Sequence, residues 1–222
     1  MNNNKYENIE IFQRLNDPQK EAVYHTQGPI LVLAGAGTGK TGVLTTRLIR
    51  LLIEKIALPG EILSVTFTNK AANEMRDRIT NQIGDMSSGL KWLGTFHSVG
   101  AQILRFHPNK LGLENDFIIL DTDDQVRLLK QIIKDENIDD KRWPAKQLLN
   151  LIDKWKNKGL YPENVKIDKS GSIIKSILKV YEIYQNKTKD LNAFDFGDLI
   201  LFCVKLFEEH EDIRKIYQNN FK

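Results

Sequence analysis

The run formed by Ala34, Gly35, Ala36, Gly37, Thr38, Gly39, Lys40 and Thr41 constrains this chain more than any other stretch. It has the spacing of a phosphate-binding loop: a small residue, four further positions, then Gly-Lys-Thr, with Ala34 where the strict pattern has glycine. Residues 30–33, Ile-Leu-Val-Leu, predict a short buried strand before it, and Val43, Leu44, Leu48, Leu51 and Leu52 recur at helical spacing after it. Glycines at 35, 37 and 39 open backbone conformations in which successive N–H groups turn inward around an anion. A helix beginning near Gly39 aims its orphan N–H groups and positive dipole end at the same point. Lys40 can then meet the β- and γ-phosphates of a nucleotide as a point charge, and the Thr41 hydroxyl can join the shell of a Mg²⁺ ion.

Composition excludes several classes of function around this loop. No apolar run approaches the roughly 20 residues needed to span a bilayer. Residues 1–5 are polar and Asn-rich rather than the apolar core of a signal peptide. Cys203 is the only cysteine, which rules out an internal disulfide and a cysteine zinc site. His25, His97, His107 and His210 lack metal-ligand spacing, so an ion held by the protein alone is not expected. A cytoplasmic location follows as the default expectation. Net charge is only +3, yet its distribution is uneven. Residues 111–140 carry three basic and nine acidic side chains, net −6, whereas residues 141–189 carry twelve basic and four acidic, net +8. The second segment is a candidate polyanion surface, or simply the solvated face of lysine-rich helices.

Strands and helices alternate in the first half. Asp17 as cap with Pro18 in the first turn predicts a helix over 19–24, ended by Gly28-Pro29. The helix after the loop is expected to reach about residue 56, where Leu58-Pro59-Gly60 turns the chain into a second buried strand over 62–67. Thr68 caps a helix over 69–83 whose apolar face is Ala71, Ala72, Met75 and Ile79. A third short strand over 92–95 and a helix over 97–106 complete a pattern that predicts a parallel sheet covered on both faces. Beyond residue 113 helical periodicity dominates, over 145–158, 173–189, 196–207 and 212–220, after one extended stretch at 117–120. That stretch ends in Asp121, as a magnesium-binding strand would, but Thr122 and Gln125 fit a capping box opening a helix to about residue 136.

Five segments together resemble the N-terminal part of superfamily 1 DNA helicases of the UvrD/Rep/PcrA type. They are Leu-Asn-Asp-Pro-Gln at 15–19, the phosphate loop, Phe-Thr-Asn-Lys-Ala-Ala at 67–72, Gly-Thr-Phe-His at 94–97 and Asp-Phe-Gly-Asp-Leu-Ile at 195–200. The resemblance covers nearly the whole chain from Leu15. It implies an α/β fold: a RecA-like nucleotide-binding core with a parallel sheet, formed by residues 1–113 and 192–222, and an inserted, mostly helical subdomain over 114–191. It implies ATP and Mg²⁺ as cofactors, with Lys40 and Thr41 as the catalytic pair of the loop. Gln19 resembles the glutamine that reads the adenine edge, which suits an amide's paired donor and acceptor. Phe67, Thr68, Asn69, Thr95 and His97 resemble segments that touch single-stranded DNA, where an aromatic ring can stack on any base. For Phe67 the residues alone leave a core position open.

The implied activity is ATP-driven 3′ to 5′ movement on DNA in repair or replication, with single strands and single/double-strand junctions as partners and no membrane. Lys154, Lys156 and Lys158 around Trp155 are candidates for contacts to duplex phosphates. Two departures stand out. Gly42 occupies a position where the family usually carries an arginine packed against adenine. The acidic strand that holds Mg²⁺ and positions water, and the arginines that meet the transition state, have no match up to Lys222, so the chain alone is expected to hydrolyse ATP little. From the residues themselves, a phosphate-loop kinase with a helical lid and a nucleotide-switched nucleic-acid-binding module remain alternatives.

Overall fold

A computed structural model describes residues 10–112, 114–166 and 172–222. The polar residues 1–5 and Leu113, where the change of texture begins, lie outside the described residues. The chain divides into two compact units, residues 1–95 with 217–222, and residues 96–216. No helix among the described residues is long and apolar enough to cross a membrane.

The first unit holds α1 (Glu10–Gln13), α2 (Asp17–Tyr24), α3 (Lys40–Ile53), β1 (Ser64–Thr66), α4 (Asn69–Ile83) and β2 (Leu93–Thr95). Helix α2 starts one residue earlier than Asp17-Pro18 suggests. Asn16 is the cap, its side chain accepting the Gln19 N–H at 3.0 Å while Gln19 returns its own carbonyl to the Asn16 N–H. Helix α3 buries Val43, Leu48, Ile49, Leu52 and Ile53, and α4 presents Ala72, Met75 and Ile79 to the same core. Thr68 caps α4 as expected, accepting the Ala71 N–H at 3.2 Å. Strands β1 and β2 pair in parallel, Ser64 with Leu93 and Thr66 with Thr95.

One sequence expectation fails here. Residues 30–33 form no strand, and Leu31 and Leu33 are 81% and 85% exposed. A strand exists only as a paired strand, and no described residue supplies these four with a ladder. Their apolar pattern is therefore present without the partner that would bury it.

The second unit contains α5 (Phe96–Phe106), α6 (Pro108–Leu111), β3 (Ile118–Leu120), α7 (Thr122–Asp135), α8 (Ala145–Lys156), α9 (Ser172–Asp190), β4 (Ala193–Asp195), α10 (Phe196–Glu209) and most of α11 (Glu211–Asn220). Leu129, Ile132, Leu148, Ile152, Tyr181 and Tyr184 from α7, α8 and α9 form its fully buried centre. Strands β3 and β4, which are parallel and adjacent, bracket these three helices. Instead of one continuous sheet covered on both faces, the described residues hold two separate two-stranded parallel sheets. Helix α7 is capped by Asp121, which accepts the Asp124 N–H at 2.8 Å. The expected box on Thr122 is thus displaced by one residue, and Gln125 donates instead to the Leu120 carbonyl. Asp121 is a cap here, as its neighbours suggested, and not the end of a metal-binding strand. Helices α5 and α10 cross closely at Gly100, where an added Cβ would sit 3.0 Å from the Leu199 carbonyl oxygen.

Candidate functional site

The candidate phosphate loop lies wholly in the first unit, with residues 34–41 exposed. Gly37 and Gly39 adopt φ of 75° and 87°, left-handed conformations that a side chain would strain. Gly39 caps α3 with no side-chain hydrogen bond, so the first N–H groups of that helix face outward with the positive end of its dipole. Thr38 closes the turn by donating its hydroxyl to the Gly35 carbonyl at 2.8 Å. The Lys40 ammonium curls over the loop and donates to the carbonyls of Ala34, at 2.7 Å, and Gly35. The backbone of Thr41 accepts the Thr45 hydroxyl at 2.7 Å, and the Thr41 side chain is exposed beside Lys40. Outward N–H groups, an ammonium held only by loop carbonyls and an exposed hydroxyl are the set a Mg²⁺-bound triphosphate requires, so these residues fit the group the sequence implies. Among the described residues no cluster of His, Cys, Asp and Glu could hold a metal by itself.

A cleft of about 400 Å³ opens beside the loop. It is lined by Arg14, Leu15, Gln19, Gly39, Gly42, Val43 and the α4 residues Arg78, Asn81 and Gln82. Gln19 is half-buried there, and its Nε2 donates to the Thr38 carbonyl at 3.1 Å. A Cβ added to Gly42 would meet nothing within 4 Å, so the cleft is open where an arginine side chain would start.

The DNA-contact candidates divide between the units. Phe67, Thr68 and Asn69 follow the carboxyl end of β1, all exposed, and Phe67 at 91% is no part of the core. Thr95 ends β2, in register with Thr66, and is buried. His97, in the first turn of α5 in the second unit, packs edge-to-face with Phe196, ring centroids 5.6 Å apart at 80°. Phe196, itself 48% exposed, was not among the sequence candidates, although it lies within the Asp-Phe-Gly-Asp segment at 195–198.

That segment also organises a buried charge cluster. Lys156 reaches Asp195 at 2.6 Å and Asp198 at 2.7 Å, all three side chains fully buried. Tyr184 donates its hydroxyl to Asp195 at 2.9 Å and Gln185 its amide to Asp198 at 3.1 Å. Lys156 is consequently no contact for duplex phosphates, whereas Lys154 and Lys158 are exposed. Trp155 between them stacks on Tyr181 at 5.7 Å. Burial pushes the Asp198 carboxyl up to about 6; Lys156 opposes that shift and Asp195 adds to it. Burial resists ionisation of Asp195 too, but the Lys156 ammonium and the donors around it hold its carboxyl below the usual carboxylate range.

Residues 15–222 match the UvrD/REP helicase N-terminal domain. A probable DNA helicase II homolog of Rickettsia conorii is 43% identical over 220 residues, 97% of this chain and 33% of the relative. The DNA helicase II of Rickettsia typhi is 42% identical over 222 residues, 98% of this chain and again 33% of the relative. The ATP-dependent DNA helicase PcrA of Staphylococcus aureus is 38% identical over 212 residues, 96% of this chain and 29% of the relative. The chain spans about a third of the length of these curated relatives. With a family match over nearly all of its residues, the chain belongs to the UvrD/REP helicase N-terminal domain family.

Proposed function

We propose that this chain is the ATP-binding and single-strand-binding portion of an ATP-dependent 3′ to 5′ DNA helicase acting in DNA repair or replication. The observation that carries the reading is the loop at 34–41, with its two left-handed glycines, a helix start capped by no side chain and the Lys40 ammonium folded onto the Ala34 carbonyl. Bound with Mg²⁺, ATP supplies the phosphoryl group whose transfer to water drives movement. The loop N–H groups and Lys40 would hold its phosphates, Thr41 would join the metal shell, and Gln19 would meet the base in the adjoining cleft.

In this reading residues 1–113 and 192–222 build a RecA-like core and 114–191 a helical insertion, with Gly42 leaving base recognition to Gln19 and its neighbours. Phe67 and Phe196 offer exposed rings for stacking on unpaired bases, His97 packs half-buried against Phe196, and Thr68 and Asn69 offer polar groups just past β1, whereas Thr95 is buried at the end of β2. Single strands and their junctions with duplex are the proposed partners. Lys40→Ala is expected to weaken ATP binding by about ten- to a hundredfold, the loss of a charge-assisted hydrogen bond. Unchanged affinity in direct titration would remove the loop from the argument.

A further inference from the structure

Gln19 stands where two local structures meet. Its Oε1 accepts the Asn16 N–H at 3.1 Å, completing the cap of α2, and its Nε2 donates to the Thr38 carbonyl at 3.1 Å, inside the phosphate loop. The next residue, Gly39, has φ of +87°, and a Cβ there would lie 3.1 Å from the same Nε2. The amide therefore packs against the turn that aims the N-terminus of α3. The other end of α2 is tied to α3 itself. Arg47 donates to the carbonyls of Ala22, at 2.9 Å, and His25, and Arg50 donates to that of Val23 at 3.2 Å. The Arg50 guanidinium also covers the Tyr24 ring, 4.2 Å from its centroid. Helix α2 is thus fastened at its C-terminus to the helix that follows the loop and at its N-terminus to the loop.

Resting on the nucleotide-site reading, we propose that Gln19 is a positioning residue for the phosphate loop as well as a reader of the base. A carboxamide offers two N–H donors and two acceptor lone pairs. The cap and the Thr38 carbonyl use one of each. One donor and one acceptor remain, and a donor with an acceptor is what an adenine edge with a ring nitrogen and an exocyclic amine requires. One group then holds both base and loop. A base seated on Gln19 fixes the amide that steadies Thr38 and Gly39, and loss of the amide loosens the loop for any triphosphate, with or without a base.

The test uses Mg²⁺-tripolyphosphate, which has phosphates and no base, alongside ATP and GTP, in calorimetric titrations of the 222-residue chain. Gln19→Met keeps the bulk of the side chain and removes its hydrogen bonds. Asn16→Ala removes the other half of the cap and leaves the Thr38 bond in place, controlling for a general loss of α2. Gln19→Met is expected to weaken tripolyphosphate about three- to tenfold, the loss of one hydrogen bond, with Asn16→Ala close to wild type. The positioning role is overturned if Gln19→Met loses its preference for ATP over GTP but binds tripolyphosphate as wild type does, or if Asn16→Ala weakens tripolyphosphate equally. Failure of the underlying reading looks different: wild-type binding of tripolyphosphate that survives Lys40→Ala, or no uptake of tripolyphosphate or ATP by wild type.

Discussion

Lys156 and Asp195 meet at 2.6 Å with neither side chain exposed to solvent, and Asp198 closes on the same ammonium at 2.7 Å. The cluster joins the end of α8 to the cap of α10, with α9 contributing Tyr184 and Gln185. Space is tight around it, since a Cβ on Gly197 would approach the Lys156 Cδ to 2.9 Å. Truncating one partner of such a pair strands the other charges in a medium that cannot solvate them. Lys156→Met is expected to cost about 3–5 kcal/mol in urea unfolding. The exposed Lys154→Ala and Lys158→Ala should stay within about 0.5 kcal/mol of wild type. Equal effects at all three positions would mean that the ammonium is not what holds the acids.

The same cluster predicts a pH dependence of definite sign. The Asp198 carboxyl, pushed up to about 6 in the folded chain from an ordinary value of 3.8, is protonated more readily folded than unfolded. Its contribution is therefore fully present below about pH 4 and lost as pH rises through about 6. Asp195 acts in the opposite sense, because its carboxyl is held below the usual range, and its contribution is lost only in stronger acid. Urea unfolding of wild type and Asp198→Asn at several values between pH 4 and pH 7 separates the two. The stability difference, wild type minus variant, should shrink as pH rises, by on the order of 1–3 kcal/mol. A difference independent of pH would show that Asp198 does not titrate in this range.

What could be read from the sequence was local chemistry. The glycine turn that leads into α3 and the Thr68 cap depend on residues within a few positions of one another, and the start of α3 and the cap are found where expected. Asp121 and Thr122 are both good caps, and the choice between them depends on where β3 ends, one residue away. Pairing is different in kind. Residues 30–33 read correctly as apolar, but apolarity does not say which strand lies alongside. Lys156 illustrates a signal passed over: it follows Leu148 and Ile152 at spacings of four, on the buried face of α8, where a lysine requires an acid partner. Counting it with its basic neighbours hid that position. The Gln19–Thr38 and His97–Phe196 contacts join residues distant in sequence, and no local pattern announces them.

Exposed aromatic rings make a separable claim about DNA. Phe67 contacts solvent over nearly its whole side chain, so Phe67→Ala should leave stability almost unchanged. If the ring stacks on a base, affinity for an unpaired oligonucleotide should fall by about five- to a hundredfold, corresponding to roughly 1–3 kcal/mol. Phe196→Ala should act similarly through the partner ring of His97. Neither change removes a charge, so the dependence of affinity on salt should keep its slope. Fluorescence anisotropy with a labelled oligothymidine at several salt concentrations measures both quantities. Wild-type affinity in both variants would exclude stacking at these positions.

Gly42 provides a gain-of-function test of the cleft. It is the third residue of α3, its absent Cβ would meet nothing within 4 Å, and it faces the space shared with Gln19, Arg14 and Arg78. An arginine there can lay its planar guanidinium against a base, an interaction of about 0.5–2 kcal/mol. It also adds positive charge near the phosphates, which would favour tripolyphosphate as well. The informative quantity is therefore the ratio of the two affinities. Gly42→Arg is expected to tighten ATP about three- to tenfold more than it tightens tripolyphosphate. Replacing glycine within a helix should contribute up to about 1 kcal/mol of stability, partly offset because a cation near a helix N-terminus opposes the dipole. Thermal unfolding without nucleotide measures that stability term separately from binding. A variant that binds both ligands more tightly by the same factor would place the arginine at the phosphates and leave the cleft without a base.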